Sequence, residues 1–334
     1  MKTALRLVIV AAVFACASPA QMVKPGIDNP QEPFSYFSRP TDVIGVMDAR
    51  SGTEVTPEGY LYTGFGELMF FVGNPPRPVN VRVKTLNDGY LPVVQYSFAE
   101  DNVLYRVDVF AATVDGKPES PLVNFINFRA QPGDVKRPTT VWLSVGVRYT
   151  SQTHIGNGTG DNRFRRPVLS TKPGAYYQAG VDFNPDWTYG FSGDTFLRDG
   201  KVMYLFPPSP QPEQRLTLKT SYNYPQDTKP RKLRIWPDTP VGIVTYKLTF
   251  GPGEIEKSLH FVMPYEPVAP ESALVAQMRS ADFMEYYQRT VKFWNNILAR
   301  GIDIETPERK LNDTFKASLI YDLIARDKVG ADYV

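Results

Sequence analysis

The chain has 334 residues, with 37 basic and 35 acidic side chains and a formal net charge of +2. This near-balance gives no electrostatic case for binding nucleic acid or an anionic membrane surface. The length allows a large core, but a single cysteine excludes an intrachain disulfide, so stability must come from packing.

The first 20 residues have the pattern of an export signal. A positive start is followed by an apolar run, 7–15, that is too short to span a bilayer. Small residues come next, and both Ala15-Cys16-Ala17 and Ser18-Pro19-Ala20 fit the small-x-small pattern that a signal peptidase accepts. We therefore predict a signal peptide over 1–20 and an exported protein, periplasmic or extracellular.

Two alternatives for this segment stay open. One is a bacterial lipoprotein box, Val13-Phe14-Ala15-Cys16, with the lipid on Cys16, although Phe14 is bulky for its position. The other is a buried N-terminal helix.

Alternation of apolar and polar residues with a period of two recurs through the middle of the chain. The clearest runs have their apolar members at Val94, Tyr96 and Phe98; at Tyr105, Val107 and Val109; at Val141, Leu143, Val145 and Val147; and at Val244, Tyr246, Leu248 and Phe250. In extended chain this pattern places apolar side chains on one face, as in an antiparallel sheet with one buried side. A mainly β fold, a large antiparallel β-sandwich over 21–268, is therefore predicted.

Turn signals separate these runs. They are Asn87-Asp88-Gly89, Asp115-Gly116-Lys117-Pro118, Arg198-Asp199-Gly200-Lys201 and Gly251-Pro252-Gly253. The last of them predicts a hairpin that joins the strand Val244–Phe250 to a strand over 255–262.

After Pro264-Tyr265-Glu266-Pro267 the apolar period becomes helical. A first stripe is formed by Phe283, Tyr287, Val291, Trp294 and Leu298. Gly301 is placed to end that helix in a left-handed cap. Thr306 is the predicted N-cap of a second helix, with Pro307 and Glu308 in its first turn. Its stripe is formed by Leu311, Phe315, Leu319 and Leu323.

The junction between the two parts resembles a known family. A long β-sandwich precedes 293–298 (Phe-Trp-Asn-Asn-Ile-Leu), then Gly301-Ile302-Asp303-Ile304, Thr306-Pro307-Glu308 and Lys310-Leu311-Asn312. This order resembles the entry into the catalytic barrel of the six-hairpin glycosidases. The segments 56–61, 70–73 and 86–92 are similar to sandwich segments of secreted bacterial members.

The resemblance implies an N-terminal β-supersandwich of the galactose-mutarotase-like type, followed by an (α/α)6 barrel. Twelve barrel helices are implied, whereas the sequence predicts two, so 269–334 is predicted to be a linker and the first hairpin of an incomplete barrel. Glycoside hydrolysis needs two carboxylates at a fixed separation. By the resemblance both lie in the barrel, so no catalytic residue is assigned and it stays open whether the chain is an enzyme.

Candidate substrate-binding residues are Trp187, Tyr189 and Asp186, because aromatic faces stack on sugar rings and carboxylates bind hydroxyl groups. The open alternative is that the aromatic residues of this stretch pack on the sandwich. A calcium loop beginning at Asp182 is not supported, since Trp187 occupies the position that needs glycine.

No cofactor and no metal are predicted. His154 and His260 are the only histidines and have no third ligand near them in sequence; His260 is expected to face outward on its strand.

The functional prediction is the non-catalytic N-terminal part of a secreted glycoside-hydrolase-like protein, inactive as this fragment, with an oligo- or polysaccharide as its partner. The alternative is a secreted carbohydrate-binding or structural β-sandwich module without catalysis.

Overall fold

The structure is a computed structural model that describes residues 42–49, 52–56, 59–63, 65–79, 81, 83–148, 188–216, 226–227, 232–233, 241–326, 328–329 and 332–333. The chain divides into a unit Met1–Glu32, which lies wholly outside these residues, and a unit Pro33–Val334, which holds every element described below. The predictions of a signal peptide over 1–20 and of a lipid on Cys16 therefore lie outside the described residues.

Two antiparallel sheets of eight strands dominate the described part of the chain. The first sheet contains, in spatial order, β1 (Asp42–Ile44), β2 (Thr53–Val55), β3 (Leu61–Tyr62), β4 (Glu67–Val72), β10 (Thr139–Arg148), β17 (Gly242–Phe250) and β14 (Glu213–Leu216), with β5 (Arg77–Pro78) paired to β4. The second sheet contains β11 (Tyr189–Ser192), β12 (Thr195–Arg198), β13 (Lys201–Leu205), β18 (Lys257–Pro264), β9 (Leu122–Pro132), β8 (Val103–Thr113), β7 (Leu91–Glu100) and β6 (Thr85–Asn87). Two short ribbons are β15 (Gln226–Asp227) with β16 (Lys232–Leu233), and β19 (Lys328–Val329) with β20 (Asp332–Tyr333).

The inner faces of the two sheets share one apolar core. Its largest fully buried members include Tyr60, Phe70, Phe71, Phe128, Tyr204 and Tyr246. The predicted alternation is confirmed, because the apolar members of all four runs lie on the core side, with only Phe98 half-buried. The predicted fold class, a large antiparallel β-sandwich followed by helices, is confirmed.

Three of the predicted turns connect paired strands. The turn at Asp88 and Gly89 joins β6 to β7, and the turn at Asp199 and Gly200 joins β12 to β13; all four residues have positive φ. The turn at 115–118 joins β8 to β9.

The predicted hairpin at Gly251-Pro252-Gly253 is wrong. The strand before it, β17, pairs with β10 and β14 in the first sheet, whereas β18 pairs with β9 and β13 in the second. The apolar faces of β17 and β18 meet across the core, with the rings of Tyr246 and Phe261 5.9 Å apart. Alternation shows which face is buried but leaves the partner strand undetermined.

The described part of the tail contains three helices, one more than predicted. They are α1 (Ala273–Ser280), α2 (Phe283–Leu298) and α3 (Arg309–Ala325). Helix α1 has only eight residues, too few for its three buried side chains, Leu274, Val275 and Met278, to form a recognisable stripe. Asp282 caps α2, accepting a hydrogen bond of 2.8 Å from the Glu285 N–H.

The buried faces of α2 and α3 differ from the predicted stripes. In α2 the buried residues are Phe283, Tyr286, Thr290 and Trp294, with Tyr287, Val291 and Leu298 at the edges. In α3 the predicted stripe is wrong, because the buried residues are Ala317, Ile320 and Ile324, whereas Leu311 is 56% exposed.

The predicted ends of these helices also differ. Helix α3 begins at Arg309 with Glu308 as its N-cap, two residues after the predicted cap. Thr306 instead bonds the Asn312 side chain, which holds the loop before the helix. Gly301 is not among the residues with positive φ, so the predicted left-handed cap is wrong; α2 ends at Leu298.

Candidate functional site

The outer face of the second sheet carries three parallel rows of side chains, each crossing the strands β7, β8, β9 and β18. The register places Val93, Phe110, Phe125 and Val262 in the apolar row. The next, the mixed row, contains Gln95, Asp108, Asn127 and His260. The third, the arginine row, contains Ser97, Arg106, Arg129 and Ser258.

Helix α2 covers the apolar row. The Phe283 ring meets Phe110 edge to face at 5.2 Å, and Tyr286 stacks on Phe125 with ring centroids 4.6 Å apart. Together with α1 these residues form a second apolar cluster outside the sandwich core. The helical tail is therefore attached to the sheet by aromatic packing, which buries large areas per residue.

Polar contacts fix α2 against the turn between β8 and β9. The Tyr286 hydroxyl donates to the carbonyl of Val114 at 2.9 Å, and Arg289 donates to the carbonyl of Thr113 at 2.5 Å. The Arg289 guanidinium also lies 4.2 Å from the centre of the Tyr286 ring. These contacts fix the position of the first half of α2 and its rotation about the helix axis.

Trp294 joins the two long helices to the sheet. Its side chain is fully buried in a cluster with Leu91, Ile320 and Ile324, and its indole Nε1 has no hydrogen-bond partner in the described part of the chain. Beside it lies a cavity of about 170 Å³, lined mainly by apolar atoms of residues that include Thr113, Arg289, Thr290 and Phe293.

The mixed row is a hydrogen-bonded network at the edge of α2. Asp108 is 6% exposed and accepts from Gln95 Nε2 at 2.9 Å and from Arg129 Nη2 at 2.6 Å. Asn127, next to it, is 8% exposed, and its Oδ1 has no partner among the described residues. A buried carboxylate is stabilised when its lone pairs are used in this way.

His260 is exposed at the end of the mixed row, as predicted for an outward-facing residue. Its ring stacks on Phe283 at 5.1 Å. Partial burial lowers the pKa of His260 below its ordinary value, while the Asp282 carboxylate opposes that shift. The imidazole is therefore mainly neutral at pH 7 and offers one donor and one acceptor.

The predicted substrate-binding residues are described only in part. Trp187 and Asp186 lie outside the described residues. Tyr189 lies on β11 with 8% exposure, and its ring is parallel to that of Phe196 at 6.2 Å. The structure does not bring Tyr189 to the three rows, and its role in substrate binding stays a prediction.

The rows themselves were missed by sequence reasoning. Arg106 and Asp108 are the polar members of the alternation in β8, but their pairing with Arg129 and Asn127 is set by the strand register, which alternation does not give. In the described part of the chain no group of three or more His, Cys, Asp or Glu side chains could hold a metal ion. None of the described helices has the length and apolarity required to cross a membrane.

No protein-family model and no curated protein matches this chain. Solved structures do match, among them one titled "Putative kojibiose phosphorylase from human microbiome". The match has 12% sequence identity and a TM-score of 0.37, and covers 84% of this chain. This chain spans 38% of the length of that protein. A resemblance of this size assigns no ligand to the chain and no role to any residue.

Proposed function

We propose that the chain is the non-catalytic sandwich part of a secreted, glycoside-hydrolase-like protein that acts on carbohydrate. In this proposal the outer face of the second sheet is a platform for a helical domain, and α2 and α3 are its first hairpin. The fragment alone is then inactive, because the two carboxylates that glycoside hydrolysis requires lie in the helical domain.

The observation that carries the proposal is the arrangement of apolar side chains on the helical tail. One face of the hairpin is held on the sheet through Trp294, while Met284, Ile302 and Leu311 are each more than half exposed. A contiguous patch of exposed apolar side chains is typical of a surface that another element covers, and in this proposal these three side chains contribute to such a patch. The junction motifs that resemble the glycosidases include Trp294 and Leu311, so sequence and packing support the same interpretation.

The first test is the reading frame downstream of the codon for Val334. The proposal predicts that the frame continues into further amphipathic helical hairpins, and that the longer protein cleaves glycosidic bonds while this chain does not. A stop codon at that position, together with a folded product of 334 residues, would contradict it.

A second test uses Leu311→Asp in both forms of the protein. In this chain alone the change is expected to alter the free energy of unfolding by less than about 0.5 kcal/mol, because the side chain is exposed. In the longer protein the same change is expected to cost several times more, since it places a carboxylate in an apolar contact. An equal change in the free energy of unfolding in both proteins would show that Leu311 makes no such apolar contact in the longer one.

The second candidate function is a carbohydrate-binding module without an attached catalytic domain. It is favoured by the arginine row on the same sheet face, where Ser97, Arg106 and Ser258 are exposed. The form of this hypothesis in which Trp187 and Tyr189 stack on a sugar predicts that Trp187→Ala weakens glycan binding. An unchanged glycan-array profile for that variant would remove this form.

A further inference from the structure

We propose that the arginine row is a binding site for an acidic saccharide, a sugar chain that carries carboxylate or sulfate groups. The proposal rests on the proposed function in one respect, namely that the ligand is a carbohydrate. It adds a site and a ligand charge that neither the fold nor the glycosidase resemblance supplies.

The first argument is the juxtaposition of two like charges. Arg106 on β8 is directly opposite Arg129 on β9 in the register. Like charges directly opposite in an antiparallel pair are destabilising, because their Cβ atoms lie only about 5 Å apart. An oxyanion bound between the two guanidinium groups removes this repulsion.

The second argument is that only one of the two arginines is neutralised. Arg129 forms an ion pair with Asp108 at 2.6 Å, whereas Arg106 is exposed and has no ion-pair or hydrogen-bond partner in the described part of the chain. Glu256, in the connection before β18, accepts a hydrogen bond from Gln131 and pairs with neither arginine. The charges of Arg106, Arg129 and Asp108 therefore sum to +1, and the uncompensated positive charge is on Arg106, which is exposed.

The third argument is preorganisation. The buried Asp108 carboxylate fixes the guanidinium of Arg129 and the amide of Gln95. A guanidinium that is already held in place loses less conformational entropy on binding, and its planar donors match a carboxylate or sulfate. Arg129 is then the fixed half of the site and Arg106 the half that moves to the ligand.

The ends of the row favour a saccharide over a free anion. Ser97 and Ser258 flank the arginines, are exposed and have no hydrogen-bond partner among the described residues. Their hydroxyl groups can both donate to and accept from sugar hydroxyls. With strands about 4.8 Å apart, the row extends over about 14 Å, which is longer than one sugar ring.

The test is isothermal titration of the full chain with three oligosaccharides of equal length: a uronic acid oligomer, a sulfated oligomer and a neutral one. At least one acidic oligomer is expected to bind ten or more times more tightly than the neutral one, and its affinity should fall as salt is added. Arg106→Gln is expected to weaken that binding about 10- to 100-fold, as for the loss of a charge-assisted hydrogen bond. The uronate and sulfate arms show which oxyanion the row accepts.

Arg137→Gln is the matched control, because it removes an equal charge from a side chain that is 87% exposed on a turn. It should bind as the wild type does. Arg106→Gln should also unfold at no lower denaturant concentration than the wild type, since it relieves a like-charge pair, so weaker binding cannot be attributed to misfolding.

The inference would be overturned by equal binding of neutral and acidic oligomers, by unchanged affinity in Arg106→Gln, or by inorganic sulfate that binds as tightly as the sulfated oligomer. Each leaves the proposed function in place, because that function is tested by the reading frame and by Leu311→Asp. Absence of binding by every oligomer also overturns the inference while leaving the platform role intact.

Discussion

Trp294 is the largest fully buried side chain in the contact between the helical tail and the sandwich. It is fully buried between the start of β7 and helix α3, and its Nε1 has no partner in the described residues. An unpaired buried donor is costly, so its retention at this position must be compensated by the packing of the large ring.

Truncation at this position provides a stability prediction. Trp294→Ala is expected to lower the free energy of unfolding by about 3–5 kcal/mol, because it removes the largest side chain of the cluster and leaves a cavity. Trp294→Phe should cost less than about 2 kcal/mol, since it keeps an aromatic ring and removes the unpaired donor. Urea denaturation measures both values.

Met284→Ala on the same helix is the control for this series. Its side chain is 51% exposed, so the change should stay within about 0.5 kcal/mol. If Trp294→Ala lowered the free energy of unfolding no more than Met284→Ala does, the Trp294 contact would not hold the helices on the sheet.

Single residues also show what the sequence could and could not reveal. The inward positions of Val107 and Tyr246 follow from alternation alone, since the period of a strand is two. The pairing of Arg106 with Arg129 depends on a register between strands separated by a turn, and alternation is the same for any register of the correct parity. The predicted stripe of α3 was wrong because apolar character did not produce burial at Leu311, which is 56% exposed.

At the scale of elements, helices of the tail pack directly against strands and turns of the sandwich. Helix α3 lies against β7 and β1, and in the connection from β1 to β2 a Cβ on Gly45 or Gly52 would come within 2.9 Å of the Ile324 side chain. Arg279 of α1 forms a bidentate pair with Asp194 in the turn after β11. The sequence predicts the change of period near Pro264, but alternation does not reveal that the outer face of the second sheet carries an apolar row for the helices to cover.

A further stability prediction concerns the tight turns between strands. Gly200→Ala is expected to lower stability by about 1 kcal/mol, because Gly200 has φ +73° and the left-handed region is unfavourable for a residue with a Cβ. The surrounding space is open, so the cost comes from the backbone alone.

Gly190→Ala on the neighbouring strand β11 is the comparison. A Cβ there also meets nothing within 4 Å, and Gly190 does not have positive φ. The free energy of unfolding of the Gly190→Ala variant should equal that of the wild type or be slightly higher. Equal losses in the two variants would contradict the assigned turn between β12 and β13.

At the scale of the whole molecule, the two faces of the second sheet differ in what they pack against. Its inner face closes the sandwich core, and its outer face runs from a covered apolar row through a largely buried mixed row to an exposed arginine row. This division lets one sheet hold the helical tail and leave the arginine row exposed. The boundary predicted between 268 and 269 separates two patterns in sequence, while apolar clusters that contain side chains from both sides join them in space.

The most direct measurement of this account is native-state hydrogen exchange of the full chain, followed amide by amide. If the outer sheet face is a platform, the slowest amides of α2 should open with a free energy within about 1 kcal/mol of those in β8 and β9, because packed elements open together. Helices that exchange with opening free energies near zero while β8 and β9 stay protected would contradict it, since the tail would then be held by no more than its covalent link.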